Sequence, residues 1–216
     1  MVSHRAKSLK KMIAMAVPSA LLFIVMYFMT NDSSRTAFDI FMKSTFGILN
    51  RWSPHTYGPP WLYRISLDLS ALGGHTDFIL IVGFVSAFLF FLREEKKLFE
   101  FLITIVGSVL LLFIIKYTMN NNMPDNLLDV FFTNDFGFPS GHALTSLVLY
   151  ATLAKYSGRK LIYTKARYVI YIFTAILITL IGTARLFTSH TLTEVIAGWC
   201  AGIFWLSIVN YIFRKH

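Results

Sequence analysis

Cysteine is almost absent from this chain of 216 residues, and because Cys200 stands alone no intrachain disulfide can staple it. Charge is scarce as well. Only 14% of residues are Asp, Glu, Lys or Arg, against about 25% in soluble domains, and the acids are the scarcer sign, 11 against 20 Lys and Arg. Twelve glycines and six prolines with no repeat exclude a collagen-like fibre, and no polar low-complexity tract supports a disordered chain. What is plentiful is apolar surface: 56% of residues are hydrophobic, 16% are aromatic, and the mean hydropathy is +0.60. These values describe a membrane protein. The formal net charge of +9 is then a matter of topology before it is a sign of a nucleic-acid partner, and none is expected.

A spanning helix needs about 20 mostly apolar residues. Six stretches qualify, near 12–30, 78–92, 98–115, 143–154, 168–184 and 195–213, the second and fourth being short. Six crossings put Arg5, Lys7, Lys10, Lys11, Arg93, Lys96, Lys97, Lys155, Arg159, Lys160, Lys165, Arg167, Arg214 and Lys215 on one side. Only Arg35, Lys43, Arg51, Arg64, Lys116 and Arg185 fall on the other. The positive-inside rule makes the richer side cytoplasmic and predicts that both termini are inside. No small-residue cleavage site precedes Asn31, so the first helix is read as uncleaved. The expected fold is all-α: a single membrane domain, residues 1–216, in the form of a six-helix bundle. Between the first two helices, residues 31–75 carry Trp52, Tyr57, Trp61 and Tyr63 with Pro54, Pro59 and Pro60, the composition of an interfacial lid or aromatic belt.

Three polar clusters fall on the outer side, where ionisable groups at membrane depth are functional candidates. Lys116 ends the third apolar stretch, either as a snorkelling anchor or as a cation for a ligand. Pro139-Ser140-Gly141-His142 precedes the fourth stretch. It is a helix start, with serine suited to the N-cap, glycine permitting close approach to the backbone, and a histidine able to give a proton. Arg185, His190 and Glu194 span the fifth and sixth stretches. The four-residue spacing of His190 and Glu194 suits either a plain polar pair on one helix face or a carboxylate that fixes an imidazole tautomer. Together the clusters supply what phosphate-ester cleavage requires: cations for the phosphoryl oxygens, a histidine to attack phosphorus and a second to protonate the leaving oxygen. Neither metal nor other cofactor is demanded. His55 and His75 are read as surface residues, Cys200 as a small packing residue, and Gly182, Gly198 and Gly202 as close-packing positions.

On these residues the chain resembles the type 2 phosphatidic acid phosphatase family of membrane lipid phosphatases. Its three motifs are Lys-x6-Arg-Pro, Pro-Ser-Gly-His and Ser-Arg-x5-His-x3-Asp. The second is matched identically at 139–142, and Glu194-Val195-Ile196-Ala197-Gly198 looks like the run that begins at the third motif's acid. The resemblance implies a metal-independent phosphohistidine mechanism with His190 as nucleophile, Glu194 orienting it and His142 as general acid. Lys116, Arg185 and the Ser140-Gly141 backbone would hold the phosphate. Four positions depart from the pattern: Met123 stands at the first motif's arginine, Ala184 at the third motif's serine, Glu194 at the third motif's aspartate, and Arg185 lies one residue nearer to His190 than in the third motif. A charge-assisted phosphate contact is commonly worth about 1.5–3 kcal/mol, so losing one lowers turnover by roughly 10- to 150-fold.

The expected activity is hydrolysis of a lipid phosphate or diphosphate ester: undecaprenyl diphosphate, phosphatidylglycerol phosphate, phosphatidate or a lipid A phosphate. The expected location is the bacterial inner membrane, with the active site extracytoplasmic. Other readings are a lipid phosphotransferase, a weakened or inactive relative that binds lipid phosphates, and a small transporter. The last lacks the expected midplane charges and internal repeat.

Overall fold

The computed structural model describes residues 2–31, 60–119, 137–188 and 190–213. Seven helices and no strands lie among them: α1 Val2–Asn31, α2 Pro60–Ala71, α3 His75–Phe91, α4 Glu95–Met119, α5 Gly141–Lys160, α6 Thr164–Leu186 and α7 Leu192–Phe213. Each of the six apolar stretches lies within one long helix to within a residue. The additional helix is α2, in the segment expected to be a lid. Its Ser66 and Ser70, one turn apart, form a buried face, and the helix packs on α6. Trp52, Tyr57, Pro54, Pro59, His55 and Met123 lie outside the described residues.

Four long helices, α1, α4, α6 and α7, together with the α2–α3 stretch 60–91, are long and apolar enough to cross a bilayer. The exception among the six, α5, is the central helix. Ala143, Leu144, Val148 and Leu149 are at most 1% exposed, and α4, α6 and α7 surround them. A helix wrapped by protein needs no apolar outer face, so α5 carries Thr145 and Thr152, whose hydroxyls bond back to the carbonyls of Gly141 and Val148. The core joins Leu144, Leu147, Val148 and Leu149 of α5 to Phe101, Ile105 and Leu112 of α4 and Ala201 of α7. Facing outward are Phe84 and Phe88 of α3, Val106, Leu110 and Ile114 of α4, and Val169, Ile172, Phe173 and Ile176 of α6, a surface suited to lipid tails.

Small residues let the helices approach. A Cβ on Gly198 would stand 2.6 Å from the Ser140 carbonyl oxygen and 2.9 Å from Ala143 Cβ; one on Gly202 would stand 3.0 Å from Leu147 Cδ2. Gly198 and Gly202, one turn apart on α7, therefore form the seam against α5. Gly182 makes room for the Trp199 ring. At the end of the bundle that holds the α1 N-terminus, Lys155 Nζ bonds Glu100 Oε1 at 2.5 Å and Asn210 Oδ1 at 2.7 Å, joining α4, α5 and α7. A cavity of about 480 Å³ opens at that end, lined among others by Lys11, Lys155, Arg159 and Asn210.

Candidate active site

The opposite end gathers the three polar clusters, because Lys116 ends α4, Ser140-Gly141-His142 starts α5, Arg185 ends α6, and His190 and Glu194 start α7. Lys116 and Arg185 are buried, at 2% and 6% exposure, each in the last turn of its helix where the negative dipole end favours a cation. His142, His190 and Glu194 are buried with them. The charges of Arg185, His190, His75 and Lys116 all act on the His142 ring, so these five side chains form one electrostatic cluster.

Local bonding fixes the third cluster. Thr191-Leu192-Thr193-Glu194 is a capping box: the Thr191 amide donates to Glu194 Oε2 at 3.0 Å, and the Glu194 amide reaches Thr191 Oγ1 at 3.4 Å. The same Glu194 oxygen lies 2.9 Å from His190 Nδ1. An ionised carboxylate only accepts, so Nδ1 carries the proton and Nε2 keeps its lone pair. Nε2 is buried without a hydrogen-bond partner among the described residues. The His190 amide donates to the Arg185 carbonyl at 3.0 Å, folding the chain back over the end of α6, which is how four intervening residues suffice. Burial pushes the His190 pKa below its ordinary value; the bond to Glu194 acts the other way, and the charges of Arg185 and Lys116 reinforce the lowering.

The second cluster differs from the expectation at Ser140. The residue occupies the N-cap position of α5, but its side chain makes no capping bond, and its amide donates to the Glu194 carbonyl at 3.0 Å. That amide is committed to holding α5 against α7, so the backbone anion donors left at this helix start come from Gly141 onward. Ser140 Oγ and His142 Nδ1 are buried and have no hydrogen-bond partner among the described residues. Gly137, at φ 68° in the left-handed region that favours glycine, turns the chain into this start, and Phe138 anchors it by ring contacts to Phe23 and Tyr27 of α1.

Two residues of the site escaped the sequence reading. His75, read there as a surface residue, is partly buried with its ring edge-on to His142, centroids 5.9 Å apart and planes at 86°. Ser70 Oγ accepts a hydrogen bond from Arg185 Nη1 at 3.0 Å, across 115 residues of sequence. For His75 the available signal was its position: it opens an apolar run on the same side as the other clusters. Ser70 carried no local signal, since a serine on a short helix has many ordinary uses.

Buried cations, a tautomer-fixed histidine whose second nitrogen has no hydrogen-bond partner among the described residues, and a second histidine in the same cluster form a site suited to phosphoryl transfer. The chain is 24% identical over 153 residues to phosphatidylglycerophosphatase B of Bacillus subtilis (strain 168), spanning 70% of this chain and 75% of the relative. The fold matches the crystal structure of a transmembrane PAP2 type phosphatidylglycerolphosphate phosphatase from Bacillus subtilis with a TM-score of 0.76, at 20% identity, over 93% of this chain and 96% of that one. The model of the PAP2 superfamily matches residues 97–216, more than half of the chain and the whole stretch from Lys116 to Glu194. The chain belongs to the PAP2 superfamily.

Proposed function

We propose that this chain, a membrane lipid phosphatase of the PAP2 superfamily, works through a phosphohistidine formed on His190, with phosphatidylglycerophosphate as its leading substrate. The single observation that carries the mechanism is the His190 Nδ1 bond to Glu194 at 2.9 Å, which leaves a buried Nε2 with no partner among the described residues, in the same cluster as Lys116 and Arg185. Lys116, Arg185, Ser140 Oγ and the amides from Gly141 onward hold the phosphoryl oxygens. The Nε2 lone pair attacks phosphorus, forming a P–N bond as the P–O bond to the lipid breaks. His142, which burial and the neighbouring positive charges hold toward the neutral form, is protonated as the phosphate dianion offsets those charges, and gives its proton to the leaving oxygen, which departs as an alcohol. His142 then takes a proton from water; the water oxygen attacks phosphorus, the P–N bond breaks, and inorganic phosphate leaves. Glu194 holds the imidazolium character that develops on His190.

The substrate class is supported by the relatives, both named as phosphatases of this phospholipid. Lys7, Lys10, Lys11, Lys96, Lys97, Lys155 and Arg159 lie toward the end opposite the site, which supports cytoplasmic termini and an extracytoplasmic site, and the bacterial source of the relative supports a bacterial inner (cytoplasmic) membrane. Phosphate release by the purified protein in detergent with EDTA, from a panel of phosphatidylglycerophosphate, phosphatidate, isoprenoid diphosphate and lipid A, tests this reading. Release by the intact chain that is lost in His190→Ala is expected. A second lipid accepting the phosphoryl group in place of water would show a phosphotransferase, and release that persists in His190→Ala would refute the histidine nucleophile.

A further inference from the structure

His75 sits where no part of the proposed chemistry uses it. The turn that carries it is fixed on both sides: the Tyr150 hydroxyl donates to the Leu72 carbonyl at 2.6 Å, and Arg185 donates to Ser70 just upstream. A Cβ on Gly73 would stand 2.7 Å from Ile181 Cγ2 and 3.5 Å from His142 Cδ2, so the backbone here is pressed against α5 and α6. His75, the first residue of α3, is thereby delivered to the His142 ring, and the charges of Lys116 and Arg185 both act on it. It is partly exposed where His142 is buried.

Position decides what it meets. His190 and His142 work from opposite sides of the phosphorus, one attacking and the other protonating the leaving oxygen, so a ring in contact with His142 lies on the leaving-group side. The phosphoryl group already has Lys116 and Arg185 for its charge of about −2. Among the described residues, Glu194 is engaged by His190 and Thr191. An additional imidazole N–H on the leaving side complements an oxyanion there. A bare diacylglycerol leaving group offers none, whereas a phosphodiester or second phosphate does.

We infer that His75 is a headgroup-binding residue that selects lipids carrying a second phosphate on the leaving-group side over phosphatidate. The inference rests on the roles proposed for His190 and His142. Its test is kcat/KM on phosphatidylglycerophosphate and on phosphatidate of matched acyl chains, for the intact chain, His75→Ala, His75→Lys and His190→Ala. In His75→Ala the first substrate is expected to lose roughly 10- to 100-fold, mostly through KM, and the second less than about 3-fold, as for one lost charge-assisted contact. His75→Lys should keep the preference. Should His75→Ala not fold, His75→Phe keeps the ring contact without the N–H and gives the same readout. Equal losses on both substrates would make His75 a structural prop for His142, and no loss would remove it from the site; either overturns the inference while leaving the phosphohistidine reading intact. Release that survives in His190→Ala overturns both.

Discussion

At the scale of single residues, Glu194 joins fold and proposed chemistry in one oxygen, which accepts from the Thr191 amide and from His190 Nδ1. The two duties separate in Glu194→Gln. Glutamine serves a capping box nearly as well as glutamate, so the thermal midpoint in detergent should stay within a few degrees of the parent. Its amide cannot supply the charge that holds His190 in the reactive tautomer, and kcat should fall by up to roughly 10⁴-fold, as for the amide-for-carboxylate exchange in the serine-protease triad. A large fall in both would mean that the capping role dominates. The His190 environment also sets a pH limit. A pKa lowered in the folded state keeps the base form present as pH falls, so kcat/KM should lose its nucleophile only below the ordinary imidazole value of about 6.5. A profile over roughly pH 4 to 8, corrected for ionisation of the substrate phosphate, checks this; a nucleophile limb at or above 6.5 contradicts it.

At the scale of elements, the site depends on how closely α5 and α7 meet. The Ser140 amide reaches the Glu194 carbonyl only because nothing protrudes from Gly198. Gly198→Ala would drive a methyl against a backbone oxygen and the Ala143 Cβ, neither free to move without shifting a helix. Overpacking of this kind costs about 1–3 kcal/mol, and here it parts the two helix starts that carry His142 and His190. Gly202→Ala meets the end of the Leu147 side chain, which can turn aside. Thermal unfolding and phosphate release should therefore show Gly198→Ala impaired in both and Gly202→Ala mild in both. The seam also marks what a sequence discloses. The apolar runs exposed six long helices because each run is a local property of about one bilayer thickness, and the helix ends then placed Lys116, His142, Arg185 and His190 on one side. Three features were not legible. α2 mixes exposed Trp61, Ile65 and Leu67 with buried serines, so it has no apolar run to announce it. The bond from Ser140 to Glu194 and the contact of His75 with His142 are pairings of distant segments that no local spacing encodes.

At the scale of the whole molecule, chemistry and one anchor of stability lie at opposite ends of α5. His142 and Lys155 are 13 residues apart on that helix, about 20 Å at 1.5 Å per residue. Lys155 holds Glu100 and Asn210 from neighbouring helices, and the Lys155 and Glu100 side chains are only 23% and 13% exposed. Replacing one partner leaves the other charge poorly solvated in an apolar setting. Lys155→Met should therefore cost about 2 kcal/mol, less than a fully buried pair because water still reaches part of both groups. Removing the partner as well, in Lys155→Met with Glu100→Leu, should recover much of that loss, since no stranded charge remains. Neither variant should alter kcat per folded molecule, because at this distance, with no shared partner, the effects on the active end are independent. A double-mutant cycle on the thermal midpoint, with phosphate release measured on each variant, tests both parts. Equal activity across the four proteins alongside a positive coupling energy is the expected result, and a fall in kcat that follows the stability loss would show that the ion pair and the histidine end form one cooperative unit.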